Sequence, residues 1–131
     1  WLAMRKLTVY DSIFPLASEL KKKLGIEEDD IFNEFARIAG NIKIEDIGDI
    51  KLLREEVAKR LNITVEEAEQ SIIPHECVYI ICDHTKALCF MLTDGVLPSN
   101  AKAGYFARLL ARRMFRMLSI LQASDMLEWI I

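Results

Sequence analysis

The sequence predicts an all-α fold, a helical bundle-like single domain over residues 1–131, and three observations carry that expectation. Apolar residues recur every three or four positions in one segment after another, and most segments close on Gly or Asn. No alternating stretch is long enough for a strand; Lys43-Ile44 and Val96-Leu97 are too short. With 52% hydrophobic and 28% charged residues in 131 positions, the chain can bury one core and is not of disordered composition.

The first helix is expected over 9–24, with Ile13, Leu16, Leu20 and Leu24 on one face and Gly25 as its stop. Pro15 fits only in a first turn, so Asp11 or Ser12 is the expected cap. A second helix over 27–39 carries acids in its first turn and ends at Gly40-Asn41, and a third over 49–61 is closed by Asn62. Thr64, with Glu67 three residues on, forms a capping box for a short fourth helix. Pro74 is expected to start a separate apolar helix running to Thr93, stopped by Gly95. Ser99 or Asn100 then caps a basic helix to about Gln122, and Ser124 a last turn or two through Trp129. The division expected within the domain is a helical scaffold over 1–73, then core helix, corner and basic helix over 74–122.

Net charge is −3, but it is unevenly spread. Residues 1–83 hold 17 Asp or Glu against 11 Lys or Arg, whereas 95–124 hold Lys102, Arg108, Arg112, Arg113 and Arg116 with no acid. Positive charge gathered on one helix of an acidic chain points to a local anionic partner. Three Cys in one apolar segment, without loop spacing, suit a reducing cytoplasm better than a disulfide framework. The early charges at Arg5, Lys6 and Asp11 exclude a signal peptide, and Asp83, His84 and Lys86 exclude a membrane span over 72–92. Trp rather than Met at position 1 marks an expected piece of a longer chain.

On the basic helix, with Arg108 set at zero, Arg112, Tyr105, Arg116, Lys102 and Arg113 fall within an arc of about 140°. Phe106, Leu110, Met114, Met117, Leu118 and Leu121 occupy roughly 160° to 280°, the expected core face. A solvated surface helix normally pairs its cations with acids one turn away, and this one has none. Four Arg against one Lys favours bidentate phosphate contact. An Asn at the helix start could reach a base edge in the wide, shallow minor groove of A-form RNA, its oxygen accepting from a guanine amino group. The competing reading is a protein-interaction module whose arginine face docks an acidic partner.

Other constellations fail. His75, Cys82 and Cys89 share a face but lie about 10 Å apart at each step, too far for one metal ion. Asp83 and His84 are adjacent and point about 100° apart, which fits a structural hydrogen-bonded pair better than acid–base catalysis. No glycine loop of the phosphate-cradling kind is present, and no catalytic residue is assigned.

Several short motifs, in order, carry a resemblance: Asp83-His84-Thr85, then Asp94-Gly95-Val96-Leu97-Pro98-Ser99-Asn100, then Gly104-Tyr105 and Arg108, Arg112-Arg113 and Arg116. Together they resemble the alanyl-tRNA synthetases, in the helical tRNA-recognition region that follows the class II catalytic core. Thr8-Val9-Tyr10-Asp11 with Phe14-Pro15 is similar to the archaeal form. The resemblance implies a parent that ligates alanine to tRNA with ATP and Mg2+ and bears a zinc-containing editing domain, while this piece is not catalytic and holds no cofactor. It implies that Asn100 reads a G·U wobble pair in the acceptor stem, its partner Asp lying beyond Ile131. It places Ser99, Lys102, Tyr105, Arg108, Arg112, Arg113 and Arg116 against the tRNA backbone, and leaves Asp83, His84 and Lys86 as polar members without a settled role. Lys86 stands where the family commonly has Arg, and Leu109 where bacterial forms often have another. The implied partners are the tRNA acceptor stem and the rest of the synthetase chain, with no membrane and no DNA.

Overall fold

The computed structural model describes residues 14–41 and 50–126, and these are all-α: five helices, a 3-10 turn and no strand among the described residues. The helices are α1 (Phe14–Leu24), α2 (Asp30–Asn41), α3 (Ile50–Leu61), α4 (Val65–Thr93) and α5 (Lys102–Ile120). The chain divides into two compact units, one of residues 26–76 and one of 1–25 with 77–131, so α4 contributes to each.

In the 26–76 unit, Asp29 caps α2 by accepting the Phe32 amide at 2.8 Å. The helix therefore starts three residues later than its acid-rich lead predicts. Ser71 on α4 donates to the same carboxylate oxygen at 2.7 Å. Burial raises the Asp29 pKa, but the Ser71 and Phe32 hydrogen bonds and the charge of His75 outweigh it and hold the carboxyl below its usual range. Ile38, Leu53, Val57, Ala58, Ala68 and Ile72 form the core, with Phe35 and Leu61 packed against it. Helix α3 ends as its Asn62 predicts: Asn62 takes a φ of 54°, and the Ile63 amide returns to the Ala58 carbonyl at 3.0 Å. The capping box forms as well, Glu67 accepting the Thr64 amide at 2.9 Å and Thr64 Oγ1 the Glu67 amide at 3.1 Å. Thr64→Ala should cost about 1 kcal/mol of stability, measurable by chemical denaturation.

The separate helices expected on either side of Pro74 are one: α4 runs unbroken for 29 residues. A mid-helix proline costs about 3 kcal/mol. Burial on both sides offsets it, with Ala68 and Ile72 before Pro74 and His75, Cys77 and Val78 after it at 3% exposure or less. Tertiary packing overrides the local signal.

In the other unit, Ala17 and Leu20 of α1, Val78, Ile81 and Cys82 of α4, and Ala107, Leu110, Met114 and Leu118 of α5 are buried. Helices α4 and α5 touch through Thr85 Oγ1, which donates to Met114 Sδ at 3.2 Å, and Cys77 Sγ, 3.7 Å from Met117 Sδ. Gly25 (φ 65°) follows α1 and Gly95 (φ 80°) follows α4, each as the sequence predicts. The Asp11 or Ser12 cap, the Lys43-Ile44 pair and the segment from Leu127 through Trp129 lie outside the described residues. The Ser124 turn is a 3-10 turn, Ser124–Met126.

Candidate nucleic-acid interface

The site begins where α4 stops. Gly95 turns the chain, the Val96 amide closes back on the Met91 carbonyl at 2.8 Å, and residues 96–101 cross to the start of α5. Two features fix this corner. The Ser99 amide donates to the Gly104 carbonyl at 2.9 Å. Gly104 itself is buried, and a Cβ on it would lie 2.5 Å from the Leu97 carbonyl oxygen and collide with the Ser99 side chain. The backbone approaches so closely that only hydrogen fits. Sequence reasoning had Gly104 within a motif but not as the residue that lets the corner pack; a lone Gly in a helical pattern is the signal that could have shown it.

Neither Ser99 nor Asn100 caps α5. The N-cap is Ala101, in extended conformation and without a side-chain bond, and Lys102 enters the helix at a φ of 50°. The competing bonds explain this. Ser99 Oγ is turned to Ala101, donating to its carbonyl at 3.1 Å and accepting its amide at 3.4 Å. Asn100 Oδ1 accepts from Arg108 Nη1.

Along α5 the buried stripe is Gly104, Ala107, Leu110, Met114 and Leu118. It is rotated by about 40° from the apolar arc read in sequence. Phe106, expected in the core, is 54% exposed, because small Gly104 and Ala107 give closer contact. The rotation sets Arg108 at the edge of the buried stripe, half-buried, while Lys102, Tyr105, Arg112, Arg113 and Arg116 are exposed. From Lys102 to Arg116 these groups extend about 21 Å along the axis.

Among the described residues outside α5, the arginines are paired. Arg37 binds Glu34, Arg54 bridges Glu69 at 3.1 Å and Glu76 at 2.6 Å, and Arg60 binds Glu56 at 2.8 Å. Their hydrogen bonds hold the Glu34 and Glu56 carboxyls below the usual range. Among the described residues no carboxylate pairs with Lys102, Arg112, Arg113 or Arg116.

Asp83, His84 and Lys86 lie on α4. Asp83 Oδ2 and His84 Nδ1 are 3.5 Å apart without the expected hydrogen bond, since neighbouring helix positions diverge; Asp83 is exposed and His84 mostly buried. Lys86 is exposed. Cys77 and Cys82 are buried thiols and Cys89 an exposed one, none of them in a disulfide among the described residues. Burial pushes the Cys82 thiol up to about 11, only partly opposed by Lys21, so it stays protonated at neutral pH. Beside the corner, Leu88, Leu92, Pro98, Met114 and Phe115 line an apolar cleft of about 200 Å3. Among the described residues, no helix is long and apolar enough to cross a membrane.

A family model described as tRNA synthetases class II (A) matches residues 5–130. The chain is 52% identical over 119 residues to the alanine--tRNA ligase of Thermococcus kodakarensis, covering 88% of this chain and 13% of that protein. It is as similar to that of Pyrococcus furiosus, at 52% over 119 residues and the same coverage. With the Methanobrevibacter smithii ligase, identity is 46% over 129 residues, 97% of this chain and 14% of that protein. The chain thus spans about one-seventh of the length of these relatives. It belongs to the class II (A) tRNA synthetases, and its archaeal relatives there are alanine--tRNA ligases.

Proposed function

We propose that this chain is the part of an alanine–tRNA ligase that reads the tRNA acceptor stem. The observation that carries the proposal is the row of exposed cations on α5 with no carboxylate partner among the described residues, beside a corner that presents an exposed amide. Leaving Arg112, Arg113 and Arg116 without carboxylate partners on an otherwise acidic, ion-paired chain costs nothing in water, and it keeps these three guanidinium groups ready for phosphate. Arg112, Arg113, Arg116 and Lys102 hold the acceptor-stem backbone, with Ser99 and Tyr105 at its edge. Asn100 reads the G·U pair, because only contacts to base edges carry sequence information.

The whole polypeptide ligates alanine to tRNA with ATP in a cytoplasmic setting. No group of three His, Cys, Asp or Glu among the described residues could hold a metal ion. ATP and Mg2+ serve the ligation step, and zinc an editing domain, in other parts of that polypeptide.

The test is a mobility-shift titration of the whole polypeptide with an acceptor-stem minihelix at rising salt. Binding should weaken steeply, with log K linear in log salt, as counterion release requires. No binding at low salt would instead favour the protein-interaction reading, for which exposed Leu97, Phe106 and Phe115 would supply apolar contacts.

A further inference from the structure

The arginines of α5 are not equivalent, and the difference assigns one of them a separate task. Arg112, Arg113 and Arg116 are exposed; Arg108 is half-buried at the margin of the stripe that contains Gly104 and Ala107. Its Nη1 donates to Oδ1 of Asn100, eight residues earlier in the corner. We propose that Arg108 is a positioning residue for Asn100, fixing the amide with which the corner reads a base pair, and not a phosphate contact. The inference rests on the reading of Asn100 given above.

The chemistry is directional. A guanidinium only donates, so it engages the amide oxygen and never the amide nitrogen, and the two ends of Asn100 cannot exchange. An Asn side chain free to rotate would present donor and acceptor in turn and would discriminate poorly between base edges. Oδ1 has two lone pairs, so the bond to Arg108 orients it and leaves one for a guanine amino group. Asn100 has no role as a cap, because the N-cap is Ala101, and among the described residues its side chain bonds only to Arg108. A rigid support behind a reading group is what separates a specific site from a loose one.

The test is a double-mutant cycle in the whole polypeptide: Asn100→Ala, Arg108→Ala and the pair. Each variant is titrated with two acceptor-stem minihelices that differ only in G·U against G·C, at several salt concentrations. Circular dichroism melts confirm that each is folded at the assay temperature. Arg108→Ala should reduce the G·U preference about tenfold, nearly as much as Asn100→Ala. The double variant should lose no more, since both act through one amide, and the salt slope of Arg108→Ala should stay unchanged. An Arg108→Ala variant that weakens both stems equally and lowers the slope by about one is a phosphate contact, which overturns the inference while Asn100 stands. An unchanged preference in Arg108→Ala, beside a lost one in Asn100→Ala, also overturns it. If Asn100→Ala keeps the preference, the reading of Asn100 fails, and the inference with it.

Discussion

Gly104→Ala should lower the midpoint of thermal unfolding by about 10 °C, a loss on the order of 2–3 kcal/mol. Two effects of opposite sign compete at this position. In a helix interior Ala is favoured over Gly by about 1 kcal/mol, so propensity alone predicts stabilisation. The new methyl group, however, would stand 2.5 Å from the Leu97 carbonyl oxygen and against the Ser99 side chain. Ser99 can rotate; a backbone carbonyl cannot move without moving the corner. That corner is tied by the Ser99 amide to the Gly104 carbonyl and by Gly95 to the end of α4. The steric term exceeds the propensity term, and the sign of the change is destabilising. Since the corner carries Asn100, preference for the G·U stem should fall in the same variant. A Gly104→Ala protein with an unchanged or raised melting midpoint would mean that the corner does not pack on α5 as described.

Asn100→Ala should behave in the opposite way, leaving the melt nearly intact and removing discrimination. Loss of a capping residue would cost about 1 kcal/mol, but Asn100 is not the cap and its side chain is exposed. Truncation therefore leaves no orphaned helix amide behind. What it should remove is the proposed base contact, for which a well-made hydrogen-bonded pair is worth about 1–3 kcal/mol of discrimination. The preference for G·U over G·C should fall about tenfold or more in paired titrations, with the salt slope unchanged because no cation is lost. Equal weakening on both stems, with a lowered melt, would assign Asn100 to the support of the helix.

Much of this was legible in the residues, for reasons that differ from element to element. The Thr64–Glu67 capping box and the Asn62 and Gly95 stops are local devices whose chemistry is complete within a few positions, and each forms as read. The arginine arc was legible because charge needs no packing partner to be recognised. Non-local contacts set the rest. Pro74 looked like a boundary because its cost is local, whereas the burial of Ile72, His75 and Val78 that offsets it is tertiary. Phe106 looked like core because hydrophobicity scales favour a ring over Gly104 and Ala107. Helix packing favours the small residues, and the stripe turns toward them. The Ser99 and Asn100 caps were misassigned for a similar reason: a capping side chain is available only if nothing competes for it. Ala101 and Arg108 compete successfully. Family resemblance pointed to Asn100 and the arginines together; it did not separate Arg108, which is bonded to Asn100, from those that face outward.

If the outward cations of α5 meet a phosphate backbone, the salt dependence of one variant shows it most directly. Arg112 is exposed and has no carboxylate partner among the described residues. In the whole polypeptide, Arg112→Ala should weaken binding of an acceptor-stem minihelix by a similar factor for G·U and G·C stems. The slope of log K against log salt should become shallower by about one, the release of one counterion. An unchanged slope, with affinity intact at low salt, would contradict the account and leave the basic face to a protein partner.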